Sequence, residues 1–483
     1  MEKRVLEGLE PHKVFHFFED LCRIPHGSGN TKAISDYCVS FAKERGLRYI
    51  QDNSNNVIIF QDGTPGYEDH PTVILQGHMD MVCAKEPDVA FDFSTQPLCL
   101  QVKDGYVSAT GTTLGGDDGI AVAYALAVLD DPSIPHPPLE AVFTVDEEVG
   151  LLGAAALDCS PLKGRLFLNM DSEEEGILTV SCAGGLRSDT VLPVTAGHGC
   201  GICCSLTLKG FSGGHSGSDI HLGRGNTNVL IGQILQQLSS KYTLQLQSLE
   251  GGKQDNAIPA HSCASFLLPA DQREAARADV EAWWTQVKAQ YAQTDPNCTL
   301  IYHDGGEVCG TAFTVEDSKK ITDLIAAVPN GVQAMSKDIP GLVESSMNLG
   351  VLSVEPDCLR LTVSLRSSVN SEKDRMRAQL AEIARQYGAD FSCRGEYPAW
   401  EYRKESPLRD TMVEIYTQQY GKPPVVEAIH AGLECGLFSN KLPGLDCVSF
   451  GPDILEIHTP REHLPIASVQ RTWAYLLEGL KAL

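Results

Sequence analysis

No apolar run in the 483-residue sequence approaches the ~18 residues of a membrane-spanning helix, so a bilayer-embedded chain is not expected. Basic residues are scarce beside acidic ones: 38 Lys and Arg face 63 Asp and Glu, a formal net charge of −25. That balance lacks the basic footprint of non-specific nucleic-acid binding and describes a soluble acidic surface. The opening residues, Met1-Glu-Lys-Arg-Val-Leu-Glu-Gly-Leu-Glu10, carry charges where a secretory signal carries an apolar core, and the expected compartment is the cytoplasm. No solenoid-type repeat is visible. Cysteine is not scarce, but sixteen in an unsignalled chain of this length read as reduced thiols rather than a disulfide framework. The densest group is Cys200, Cys203 and Cys204, with His198 nearby. It looks like part of a zinc site, yet no second Cys-x-x-Cys pair follows and Ser205–Lys209 alternates as a strand does. These are read as strand cysteines.

What is present describes a globular protein of more than one domain. Hydrophobic residues make up 42% and charged residues 21%, the balance of a folded soluble chain, and 483 residues exceed one ordinary core. Helices are expected over 11–23 and 31–45, and strands near 47–51, 57–61 and 72–76. Residues 84–110 read as polar and irregular. Beyond them come a helix at 120–129 and strands at 140–145 and 165–170. Strand–helix–strand order with acids at successive strand ends is an α/β pattern. From about 187 the texture changes to strands near 203–209, 263–268, 342–352 and 359–366. These are interleaved with helices near 226–240, 271–292, 315–327 and 371–387. The expectation is an α+β domain over 187–398, inserted into an α/β domain formed by 1–186 and 399–483, with Glu396–Trp400 as the return linker.

The chemistry gathers at strand ends. Thr72-Val-Ile-Leu-Gln-Gly-His78-Met-Asp80 reads as a buried strand ending in His-x-Asp. In an extended segment residues two apart point the same way, so an imidazole and a carboxylate can serve one site. Asp117 follows the Gly-rich turn Gly111–Gly116, Glu147-Glu148 follows the 140–145 strand, and Asp171 follows the 165–170 strand. His458 stands in Gly451-Pro-Asp-Ile-Leu-Glu-Ile-His458. Each alone reads as a turn, a cap or a solvated acid. Together, two histidines and three carboxylates suit two divalent cations sharing a bridging carboxylate. The mixed donors favour Zn²⁺, Mn²⁺ or Co²⁺ over Ca²⁺ or a thiolate site. Two such ions polarise a carbonyl and acidify a shared water. Adjacent glutamates can then supply both a ligand and a general base.

With those motifs in hand, the sequence resembles the aminoacyl-histidine dipeptidases, also called Xaa-His or cytosol nonspecific dipeptidases. They belong to the di-zinc metallopeptidase superfamily of aminoacylase and carnosinase. HMDMV at 78–82, GTTLGGDDGIAVAYALAVL at 111–129, DEEVG at 146–150, NMDSEEEG at 169–176, GGHSGSDIHLGRGN at 213–226, NAIPAH at 256–261, HAGLECGLF at 430–438 and GPDILEIHTP at 451–460 carry the resemblance, in order and nearly end to end. The resemblance implies a di-zinc exopeptidase-like catalytic domain, a mostly parallel sheet flanked by helices, with an inserted α+β lid. It implies that His78 and Asp171 hold one metal ion, Glu148 and His458 the other, and that Asp117 bridges them. Asp80 would orient His78, and Glu147 would be the general base. In the lid, His215 would polarise the scissile carbonyl and Arg366 would grip the dipeptide carboxylate with its guanidinium fork. Asn256, Gly432 and Glu434 would also meet substrate. Two zinc ions per chain (or Mn²⁺ or Co²⁺), dipeptide substrates and a homodimer follow from the same resemblance. So does one alternative, an aminoacylase or tripeptide and longer-peptide exopeptidase. A non-catalytic binding protein on this scaffold would lack a ligand or the base, and neither is missing. Two positions depart from the family: Asp118 stands where Asn is usual, and Ile457 where Pro usually precedes the final His.

Overall fold

The computed structural model describes residues 4–483, which divide into two compact units. The first comprises the described chain up to Cys182 with Tyr402–Ala428 and Leu433–Leu483, and the second Ala183–Glu401 with Ile429–Gly432. Among the described residues no helix is long and apolar enough to cross a membrane.

The first unit is built on an eight-stranded sheet. Its order is Arg48–Gln51, Val57–Gln61, Leu139–Thr144, Val73–His78, Leu166–Asn169, Asp446–Ser449, Ile177–Cys182 and Val425–Ile429. The centre is parallel: Val73–His78 pairs with Leu139–Thr144 on one side and Leu166–Asn169 on the other, and the latter pairs with Asp446–Ser449. Antiparallel strands extend it on both flanks. The central strands are buried throughout, six of six residues in both Val73–His78 and Leu139–Thr144, because helices cover both faces of such a sheet. One consequence governs the site. Four parallel strands finish at the same edge, so the segments after His78, Thr144, Asn169 and Ser449 emerge side by side, where ligands bind in open α/β sheets.

The helix Gly116–Asp130 packs on Val73–His78. It is apolar all round because it is buried all round, from Gly116 to Leu129. Its first turn is irregular at Asp117 and Asp118. The close approach is possible because residue 77 is glycine: a Cβ there would lie 2.6 Å from Asp118 Oδ2 and 2.7 Å from the Ala121 methyl. The segment 84–110, which reads as irregular, holds the hairpin Leu100–Lys103 and Tyr106–Ala109, joined by His463–Pro465 as a third strand. Four-residue strands, one of them largely exposed, are too short for their alternation to be seen in sequence.

The second unit is a nine-stranded sheet. Eight strands follow in the order Thr299–Ala312, Gly197–Lys209, Ser262–Leu268, Gln245–Gly251, Val343–Val354, Cys358–Ser367, Gly184–Pro193 and Asp390–Tyr397, and Gly331–Met335 pairs with Val343–Val354. The helices Thr227–Lys241, Arg273–Gln290, Val315–Ala327 and Asn370–Tyr387 bury a core of Leu206, Ile231, Leu235, Phe266, Leu324, Leu349 and Leu361. Side-chain caps start two of them: Asn226 accepts from the amides of Asn228 and Val229, and Thr314 from that of Asp317. The stretch expected as a return linker begins inside a strand, which runs to Tyr397. The thiol reading also fails for one pair. Cys200 and Cys309, direct cross-strand neighbours, form a disulfide, while the other fourteen cysteines take part in none. The partner could not be read from sequence because it lies 109 residues away on an exposed strand with no apolar alternation.

Candidate active site

His78 ends the central strand and is 1% exposed. Its Nδ1 donates to the main-chain oxygen of Asp80 at 2.9 Å, which leaves Nε2 with a free lone pair. That nitrogen faces Asp117 Oδ1 at 3.1 Å and Asp171 Oδ1 at 3.5 Å. The other oxygen of Asp117, Oδ2, lies 3.1 Å from His458 Nε2, which is also 3.1 Å from Glu148 Oε1. One carboxylate therefore presents one oxygen to each of two imidazoles. Each imidazole has a second carboxylate beside it.

The loops that deliver these groups are held in unusual backbone conformations. Asp146, just before the glutamate pair, has φ +55°, and Glu456 and His458 have φ +52° and +59°. Such angles cost non-glycine residues of order 1–3 kcal/mol and gather where a site requires them. The Asp80 carboxylate does not make the shorter contact to His78: its Oδ1 stands 3.6 Å from Nδ1. Its oxygens accept instead from Ser28 Oγ at 2.8 Å and from the Glu147 amide at 3.1 Å. Asp80 thus ties the His78 strand end to the start of the glutamate pair. Glu434, the first residue of the helix Glu434–Lys441, is fully buried. It accepts from Gln76 Nε2 at 2.5 Å and Thr144 Oγ1 at 2.6 Å.

The electrostatics call for cations. Burial alone would lower the His78 pKa, but the carboxylates of Asp117, Asp171 and Asp80 reverse this and hold it well above its ordinary value. His458 is pushed up to about 11 by Asp117 and Glu148. Burial, reinforced by neighbouring carboxylates, raises Asp171 to about 6, Glu173 to about 8 and Glu147 well above the usual range. Asp118 is raised as well, first by burial and then by Asp171; its Oδ2 accepts from the His78 amide. The donors form three overlapping groups whose ligand atoms lie within 4.8 Å of one another: His78 with Asp118 and Asp171, His78 with Glu147 and Glu148, and Asp117 with Glu148 and His458. Imidazole nitrogen with carboxylate oxygen, crowded this way, fits borderline divalent ions.

Two acids here are not singled out by the sequence. Glu173 is hidden in the acid run 171–175. Glu462 is 3% exposed and accepts from three consecutive amides, Leu114 at 3.0 Å, Gly115 at 3.3 Å and Gly116 at 2.7 Å. It thereby fixes the turn that delivers Asp117, from a loop four residues past His458. No local signal marks it, because its partners are backbone groups some 346 residues earlier. Glu462→Ala is expected to weaken metal retention by roughly 10–100-fold, the usual cost of losing support behind a ligand. Residual metal after dialysis against a graded chelator measures this.

In the second unit the structure gathers His215, Arg366, Tyr397 and His430. His215 Nδ1 accepts from the amides of Gly217 at 3.3 Å and Ser218 at 3.2 Å, which puts the ring proton on Nε2. That Nε2–H stands 3.4 Å from Arg366 Nη2. Two donors side by side cannot satisfy each other and are arranged for an oxygen ligand. Arg366 is 5% exposed, its Nη1 donates to Tyr397 Oη at 3.2 Å, and its buried Nε has no partner among the described residues. Asn256 stands beside this cluster through its main-chain oxygen, which accepts from the Ser216 amide at 2.8 Å. Gly432 lies against the Tyr397 ring, 2.7 Å from where a Cβ would be.

His430 is buried, hydrogen-bonded through Nε2 to Ser346 Oγ at 2.7 Å. Burial, then the Arg366 charge, lowers its pKa to about 3. Because the folded value lies below the unfolded one, the unfolded chain takes up a proton first as pH falls. The neutral ring leaves stability intact above about pH 6.5, and stability is lost progressively from there towards pH 3. By pH 5 the loss is about 2 kcal/mol. Urea midpoints at pH 7.5 and pH 5 should separate further in the wild type than in His430→Asn.

Known proteins share this architecture and this sequence. The chain is 36% identical over 481 residues to the cytosol non-specific dipeptidase of Escherichia coli, covering 99% of this chain and 98% of that protein. The crystal structure of aminoacylhistidine dipeptidase from Vibrio alginolyticus superposes with a TM-score of 0.93 at 36% identity, covering 99% and 98% of the two chains. Aminopeptidase PepT from Bacillus cereus, at 16% identity with a TM-score of 0.56 and 98% of both chains covered, shares the fold. The sequence pattern of peptidase family M20/M25/M40 matches residues 74–482. The chain belongs to that family of metallopeptidases.

Proposed function

We propose that this protein hydrolyses unblocked dipeptides, Xaa-His dipeptides of the carnosine type among them. The observation that carries this reading is the Asp117 carboxylate, one oxygen toward His78 and the other toward His458, with Glu147 and Glu148 adjacent. His78 and Asp171 would hold one ion, Glu148 and His458 the second, and Asp117 both. Two divalent ions there, Zn²⁺ before Mn²⁺ or Co²⁺, supply a polarised carbonyl and an acidified water. Glu147 takes the proton of the attacking water and returns it to the leaving amine nitrogen. Asp80 keeps Glu147 and His78 in register through the contacts described above. His215 Nε2–H donates to the scissile carbonyl oxygen. Arg366 offers its guanidinium fork to the substrate carboxylate, a charge-assisted interaction. Asn256, Gly432 and Glu434 complete the substrate contacts, with Glu434 meeting the free amine.

Names support the substrate class: the E. coli and Vibrio relatives are called dipeptidases. The cytosol in the first name supports a cytoplasmic location. We read the chain as a homodimer on the family resemblance, which sedimentation tests. A panel of dipeptides, tripeptides and N-acyl amino acids, assayed after metal stripping and re-addition of Zn²⁺, Mn²⁺ or Co²⁺ singly, tests the function. Faster hydrolysis of N-acyl amino acids or tripeptides would select the aminoacylase or longer-peptide reading instead. Arg366→Ala is expected to raise KM for dipeptides roughly tenfold to hundredfold, the cost of one or two bonds to a charged group. Steady-state kinetics on dipeptides measures it.

A further inference from the structure

The Cys200–Cys309 disulfide and its surroundings take no part in the dipeptidase reading. Gly197–Lys209 and Thr299–Ala312 pair antiparallel, with Cys200 opposite Cys309 and His198 opposite Thr311. His198 and Cys200 are two apart on one strand, so their side chains share a side. All three residues are exposed. A ring nitrogen of His198 and the two Sγ atoms lie within 4.8 Å of one another. The neighbouring cysteines are excluded from this group: Cys204 is fully buried, and Cys203 Sγ contacts Gln247 Oε1 at 3.5 Å.

We propose that reduction of this disulfide opens a metal site made of the His198 imidazole and the Cys200 and Cys309 thiolates, suited to a thiophilic divalent ion such as Zn²⁺. Two equivalents of a small thiol, R–SH, supply the electrons. The protein S–S bond breaks, each sulfur gains an electron and a proton, and one R–S–S–R forms. Metal binding then releases both thiol protons to solvent, and two thiolates neutralise the ion. Zn–S bonds of ~2.3 Å and Zn–N bonds of ~2.0–2.1 Å place tetrahedral ligand atoms ~3.5–3.8 Å apart. The three ligand atoms already lie within 4.8 Å of one another. The fourth position faces solvent and takes a water, as in other sites with three protein ligands. With the disulfide intact the sulfurs carry no charge to offer, so the site exists in one redox state only. Two histidine-and-carboxylate ions in one unit and a thiolate ion in the other are separable by donor chemistry.

The experiment uses the full chain with its catalytic centre already loaded with Zn²⁺, and Co²⁺ as the probe. Reduced protein is expected to take up one further Co²⁺ per chain with a thiolate-to-cobalt charge-transfer band, which nitrogen and oxygen donors cannot produce. Oxidised protein should show neither. Cys309→Ser should lose the band, and His198→Ala should keep it while binding about tenfold more weakly, a difference of 1.4 kcal/mol. A reduced wild type without the band, or a band that persists in Cys309→Ser, overturns the site. Sixteen titratable thiols in air-oxidised protein, rather than fourteen, overturn the redox gate. Dipeptidase activity is not the readout, so failure here leaves the proposed function untouched.

Discussion

Glu147→Ala is expected to retain two metal ions per chain and lose turnover, kcat falling by roughly 10²–10⁴, the span that general acid–base groups contribute. The expectation rests on position. Glu147 lies beside Glu148, whose Oε1 is 3.1 Å from His458, and its own amide is anchored on Asp80. Its carboxyl is pushed above the usual range first by burial, with Asp171, Glu434 and Glu148 adding to it. Metal analysis together with kcat on the same preparation decides the matter. A variant that kept near wild-type turnover would remove Glu147 from the reaction. One that lost metal as well would make it a ligand.

Asp117→Ala should have the other large effect, and a different one. A single carboxylate stands between His78 and His458, so its loss removes a donor from both ions. Metal content after dialysis is expected to fall from two per chain to below one, with activity lost in parallel. Removal also leaves His78, 1% exposed, without its nearest carboxylate. Asp80→Ala provides the contrast. The His78 Nδ1–H is held by the Asp80 main-chain oxygen, which alanine retains. Metal should therefore be lost less completely than in Asp117→Ala, while activity falls because the Glu147 amide loses its acceptor. Equal metal loss in the two variants would show that the Asp80 carboxylate, not its backbone, holds the histidine.

Much of the first unit is legible in sequence because its signals are local. Val73–Leu75 is an apolar run buried on both faces, and 120–129 in the helix Gly116–Asp130 is a second one, buried all round. The acids stand out because each follows such a run. The second unit is less legible. Thr299–Ala312 is exposed along most of its length, so it has no period to read. Its cysteine partner was invisible for that reason.

Residue order alone names which residues end the central strands and what chemistry they offer: two imidazoles, a set of carboxylates and an adjacent glutamate pair. Strand hydrophobicity and turn residues are properties of neighbours in the chain, so they survive in one dimension. Which oxygen faces which nitrogen is a property of the folded chain. The parallel pairing of Val73–His78 with both its neighbours aligns their ends, and the left-handed backbone at His458 turns its ring toward Asp117. Glu462 reaching back to three amides of the 114–116 turn, and Asp80 holding His78 through its backbone while its carboxylate serves Glu147, are long-range or main-chain contacts. Side-chain identity does not encode such contacts, and packing alone creates them.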